Sequence, residues 1–137
     1  MALFGWSDEF SVGVSEMDRH HRELFGILNT LHDSMKGGKA EETVLPTINK
    51  LLEYTKYHFD KEEQLMINAS YPGLAGQQSA HKAFIAKLEE FKAQAEKPGM
   101  AIFAVTKVSS TGGEWLKKHI TGMDKQYTDF MNKAGIK

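Results

Sequence analysis

The sequence predicts an all-α protein: an up-down-up-down antiparallel four-helix bundle behind an extended N-terminal arm. Three observations carry that prediction. Apolar residues recur at spacings of three and four along four long segments, glycine and proline interrupt the chain between them, and no segment alternates over a useful strand length.

Residues 1–17 vary irregularly around Gly5 and Gly13 and read as an arm whose Trp6, Phe10 and Val12 can pack on something larger. Helical period begins at Asp18, the expected N-cap of a helix over about 18–36, with His21, Leu24, Leu28, Leu31 and Met35 on one stripe. Gly37-Gly38 is the expected stop. The second helix spans about 43–68 with Val44, Ile48, Leu51, Thr55, His58, Glu62 and Leu65 on its face, and Pro46 confines its start to within a few residues. Tyr71-Pro72-Gly73 separates it from a third helix over about 75–97, carrying Gln77, His81, Phe84, Leu88 and Phe91. After Pro98-Gly99 a fourth helix, about 100–132, presents Ile102, Val105, Gly112, Leu116, His119 and Met123 and continues towards Phe130.

At 137 residues the chain is expected to form a single domain, 1–137, with a substantial core. A net charge of −1 argues against nucleic acid and against a charged membrane surface. The start, MALFGWSDEF, lacks the basic and apolar regions of a signal peptide, and no stretch approaches the roughly 20 apolar residues that span a bilayer. With no cysteine, disulfides, iron–sulfur clusters and thiolate zinc sites are excluded, and a reducing cytoplasm is the expected setting.

Four histidines, His21, His58, His81 and His119, occupy stripe positions where leucine is expected. Two have a carboxylate close behind: Glu62 four residues after His58, and Asp124 five after His119. Buried polar groups without partners cost several kcal/mol, so four core histidines need a common partner. A metal centre supplies one, and mixed nitrogen and oxygen donors point to iron. The topology agrees: His21 near the start of one helix, His58 near the end of the next, His81 near the start of the third and His119 far along the fourth meet at one end of the bundle.

His58 and Glu62 are one turn apart and project from one face. His119 and Asp124 are about 140° apart on a regular helix, so a π-type turn near Gly122 is expected to bring both inward. His20 lies about 100° round from His21 and is expected in solvent. His32 shares the face of His21 but lies about 16 Å along the axis, too far to ligate. Glu63 reads as a surface group or an outer partner of the site, Asp18 as a cap, and the seven methionines as core filler.

Taken in order, these residues resemble the hemerythrin family, in its single-domain bacterial branch. The carrying segments are Met17-Asp18-Arg19-His20-His21, His58-Phe59-Asp60-Lys61-Glu62-Glu63, Tyr71-Pro72 before His81, and Trp115-Leu116-Lys117-Lys118-His119-Ile120-Thr121-Gly122-Met123-Asp124. The likeness runs from Trp6 to Tyr127. It implies two non-haem iron ions bridged by Glu62, Asp124 and an oxo or hydroxo group. His21 and His58 would hold the iron with an open position for dioxygen, and His81 and His119 the other. Leu24, Phe59, Trp115, Leu116 and Ile120 are the family-like pocket positions that would keep the oxygen site dry.

One residue departs from the pattern. Where the family has histidine four residues before His81, this chain has Gln77, whose amide oxygen is a neutral and weaker donor. A second feature is Ser109-Ser110-Thr111-Gly112-Gly113, a poor helix former in which Gly112 is expected to leave room for a ligand channel. The resemblance implies reversible dioxygen binding for storage, delivery or sensing, with small anions as further ligands. The alternative is a di-iron oxidase or peroxidase that uses a second open position created by Gln77. Iron handling fits less well, because such sites are rich in carboxylates and this one is rich in imidazoles.

Overall fold

A computed structural model describes residues 4–36 and 40–137. Its long helices are α1 (Ser15–Asp33), α2 (Ala40–Asn68) and α3 (Leu74–Ala95). The fourth is interrupted: α4 (Ala101–Lys107), a π-helical turn (Val108–Gly112), α5 (Gly113–Gly122), a 3-10 turn (Asp124–Tyr127) and α6 (Thr128–Lys133). No strand occurs among the described residues, and no helix among them is long and apolar enough to cross a membrane. α1 packs on α2, α2 on α3 and α3 on α4, and α1 also meets α4 and the π turn, which closes the bundle.

One end of the interior is apolar. Leu28 and Leu31 of α1, Ile48 and Leu51 of α2, Leu88 of α3 and Val105 of α4 are all buried there. The expected Gly37-Gly38 stop lies outside the described residues. Several expectations change. α2 begins at Ala40, so Pro46 sits in its second turn rather than its first, where it has no N–H to give the preceding turn. Ile102 is 55% exposed, and Ala101 and Ala104 take the inward positions instead. Ser70, in the left-handed conformation at φ 53°, starts the break after α2, before Tyr71-Pro72-Gly73, and the Tyr71 N–H returns to the Met66 carbonyl at 3.0 Å.

Asp18 is not the cap of α1, which starts three residues earlier. Its carboxylate instead ties down the arm, accepting from the Val12 N–H at 2.8 Å and the Ser11 hydroxyl at 2.6 Å. Asn29 fixes Phe4 by two reciprocal bonds of 2.8 and 2.9 Å. The arm's aromatic rings then pack on Phe25, with Phe10 edge-on at 5.1 Å. Phe4 lies over Gly113, where any Cβ would collide with its ring.

The π turn is not between His119 and Asp124. It lies earlier, at Val108–Gly112, where the Gly113 N–H bonds the Val108 carbonyl. Ala104, Val108, Gly112, Leu116 and Ile120 are all buried at a constant spacing of four. Each such step overshoots an α-helical turn by about 40°, so the run would drift by about 160° on a regular helix. A wider turn takes up part of that drift and keeps α5 facing inward. A Cβ at Gly112 would meet Val108 and Phe84 at ordinary contact distances of 3.6 and 3.9 Å, so the glycine leaves room for about a methyl group.

Candidate metal centre

At the other end of the interior the stripes turn polar. α1 supplies His21, α2 His58 and Glu62, α3 Gln77 and His81, and α5 His119, all at most 5% exposed. Asp124, 1% exposed, opens the 3-10 turn just after α5 ends at Gly122. The helix is thus interrupted rather than widened between His119 and Asp124, and this replaces the expected π turn as the way both face inward.

The two carboxylates span the cluster. Glu62 Oε2 lies 3.6 Å from Nε2 of His21 and 3.6 Å from Nε2 of His58, while its Oε1 lies 3.2 Å from Nε2 of His81. Asp124 Oδ2 is 3.4 Å from Nε2 of His21, and its Oδ1 is 3.1 Å from Nε2 of His119. The donors form two groups, His21, His58 and Glu62 in one, and Glu62, His81, His119 and Asp124 in the other, each with its atoms within 4.8 Å. Glu62 belongs to both.

Much of this cluster is unsatisfied by protein alone. Both ring nitrogens of His21, Glu62 Oε1, Asp124 Oδ2 and Gln77 Oε1 are buried without a hydrogen-bond partner. Leaving so many polar atoms unpaired in one small volume is costly, and a cation facing them removes the cost. The residues therefore fit a metal pair: imidazole nitrogens turned inward, two anionic carboxylates placed between the groups, and no thiolate.

The electrostatics agree. Burial alone would lower His21, but the carboxylates of Asp124 and Glu62 outweigh it and push its pKa up to about 9. Burial dominates at His58, which is lowered to about 3 and stays neutral. Burial would raise Glu62, yet His58, His21 and His81 hold it well below the usual carboxylate range. Burial and the Glu62 charge would raise Asp124, but the neighbouring His119 and His21 outweigh them and lower it. Burial would also lower His81, but Glu62 outweighs it and raises that ring, so without metal the carboxylates favour protons on both His21 and His81.

Gln77 reaches the cluster, where its amide nitrogen donates to Asp124 Oδ1 at 3.0 Å. Glu63 stands behind His81, with its Oε2 2.8 Å from Nδ1 of that ring. Phe59 stacks on His81 at 3.8 Å and Trp115 on His119 at 4.4 Å, while Phe59 also stands 5.7 Å from His58. Leu24, Leu116 and Ile120 are buried in the same interior.

Two buried residues join the cluster against, or beyond, what the sequence pattern predicts. His20 is not in solvent: it is 1% exposed, and its Nδ1 lies 3.0 Å from Nδ1 of His58. Its signal in the sequence is that it follows the buried Met17 by three and precedes the buried Leu24 by four. Tyr127 is fully buried and its hydroxyl donates to Glu62 Oε2 at 2.7 Å. Its position three residues after Asp124 is its only signal.

Comparison with known proteins gives one consistent result. Residues 12–130 match the family described as Hemerythrin HHE cation binding domain. A bacteriohemerythrin of Stenotrophomonas maltophilia is 32% identical, over 94% of this chain and 82% of that protein. A bacteriohemerythrin of Clostridium acetobutylicum is 31% identical, over 93% of this chain and all of that protein. A wild-type hemerythrin crystal structure superposes with a TM-score of 0.81 at 25% identity, covering 95% of this chain and 98% of that one.

Proposed function

The chain belongs to the hemerythrin family, and from that premise we propose that its buried cluster holds two non-haem irons and binds dioxygen reversibly, for storage, delivery or sensing. The observation that supports this reading most is the placement of Glu62, with one oxygen toward His21 and His58 and the other toward His81. In this reading His21 and His58 would hold one iron and His81 and His119 the other, with the carboxylates of Glu62 and Asp124 as the anionic ligands between the two groups. The irons supply the electrons that dioxygen binding draws on.

The protein's own groups do the rest. Glu62 and Asp124 would offset half the charge of two divalent ions, and the neutral imidazoles add donors without adding charge. Tyr127 holds Glu62 in place by its hydrogen bond. Leu24, Leu116 and Ile120, with the rings of Phe59 and Trp115, keep water from the centre. Small anions are the other ligands this cationic, enclosed site would accept. A di-iron oxidase or peroxidase is the second reading, favoured by the unpartnered Gln77 Oε1.

The test is anaerobic loading with ferrous iron followed by dioxygen, with the absorption spectrum recorded over time. A coloured form that persists and reverses under vacuum supports oxygen binding. Rapid conversion to a ferric product supports the oxidase.

A further inference from the structure

The outer face of the cluster is asymmetric. Behind His81 stands a carboxylate, Glu63, at 2.8 Å from Nδ1. Behind His58 stands another imidazole, His20, at 3.0 Å. His20 is packed among aromatic rings, with Tyr57 at 5.3 Å and Tyr54 at 5.8 Å. Its far nitrogen, Nε2, has no hydrogen-bond partner and faces Glu16 Oε2 at 3.8 Å. Glu16 in turn lies 3.9 Å from Lys61 and 4.0 Å from Arg19 at the surface.

We propose that His20 is a positioning residue for His58, fixing the tautomer in which His58 Nδ1 carries the hydrogen and Nε2 is free to ligate. The chemistry has one consistent direction. A histidine that ligates through Nε2 must carry its hydrogen on Nδ1. His58 then donates to His20 Nδ1, which must be unprotonated, so the His20 hydrogen sits on Nε2 and faces Glu16. His20 thus takes the place that a carboxylate holds in the carboxylate–histidine–metal arrangement, with Glu16 3.8 Å beyond it and not hydrogen-bonded. Because the partner of His58 is neutral whereas that of His81 is anionic, His58 is the weaker electron donor of the two. The proposal rests on the reading of His58 as a ligand.

The experiment uses the whole chain loaded with zinc as a diamagnetic probe, and with ferrous iron. His20→Phe keeps an aromatic ring but removes the acceptor, whereas His20→Asn restores an acceptor oxygen where Nδ1 stood. In the zinc-loaded parent, nitrogen NMR is expected to show His58 protonated at Nδ1, with a coupling across the hydrogen bond to His20. His20→Phe should release one of the two irons to a chelator about 10–100-fold faster, and His20→Asn should recover most of that loss. Thermal melting of both variants checks that they fold. Parent-like iron retention in His20→Phe, or equal loss in His20→Asn, overturns the proposal. If His58→Ala itself keeps both irons, the metal reading has failed instead.

Discussion

Along α2, Val44, Ile48 and Leu51 fill one half of the core and Thr55, His58 and Glu62 the other, and all six are at most 2% exposed. Equal burial hides opposite energetics. In the first half each side chain gains about 25 cal/mol for every Å² of apolar surface removed from water. In the second, burial costs free energy until each polar atom finds a partner. Thr55, at the boundary, finds one by donating to the Leu51 carbonyl at 2.6 Å. Glu62 Oε1 has only the His81 Nε2 at 3.2 Å, with which it makes no hydrogen bond. The apolar half therefore holds the fold, and the polar half is tolerated because metal satisfies it.

Substitutions about three turns apart on this one helix should separate these roles. Glu62→Ala removes the group common to both donor sets and is expected to abolish binding of both irons, measured as iron per chain. Leu51→Ala should cost about 2–5 kcal/mol through transfer and cavity terms. It should lower the unfolding midpoint of metal-free and loaded protein alike while leaving two irons per chain. If Glu62→Ala kept its iron, or Leu51→Ala lost it, the division between the halves would not hold.

The halves should also differ in their response to pH. In metal-free protein His21 titrates near 9 rather than 6.5, so its contribution of roughly 3 kcal/mol is present below pH 6.5 and lost as pH rises through about 9. His58 is lowered to about 3, so protonation of the unfolded chain removes stability as pH falls below 6.5. The lowered Glu62 and Asp124 act in the same direction, through the carboxylate range. Denaturant unfolding of metal-free protein should therefore weaken on both sides of neutrality. Iron loading should remove the alkaline loss, because His21 is then already deprotonated. Leu51→Ala should shift the curve without changing its shape.

The same contrast explains how much of the molecule is legible in its sequence. Stripe spacing places the four helices and the histidines on their inward faces, because apolar periodicity and buried histidine share one helical phase. A single line of residues is too narrow a guide, and it misses His20 for that reason: the buried face of α1 is wide enough to hold His20, His21, Leu24 and Phe25 together. Asp18 looks like a cap by type, and only the path of the arm shows what it binds. Gly122 attracts the π turn by its low helix propensity, whereas the run of fours from Ala104 to Ile120 marks where the turn lies. Tyr127 cannot be paired with Glu62, 65 residues away, before the helices are assembled.

The smallest expected effect lies at Gln77, where the polar half departs from its family's pattern. Its amide nitrogen holds Asp124 Oδ1 at 3.0 Å, and its oxygen is left unpartnered beside the His81 and His119 group. Gln77→His exchanges a neutral amide for an imidazole at a position one turn from His81. The imidazole is the stronger donor, so the iron on that side should be retained longer and accept exogenous anions less readily. The oxygenated form should live longer by about tenfold, equivalent to about 1.4 kcal/mol. Iron release to a chelator, azide affinity and the decay of the oxygenated spectrum measure the three consequences separately. If all three match the parent, Gln77 acts only as a hydrogen-bond donor to Asp124, and the oxidase reading loses the residue that favours it.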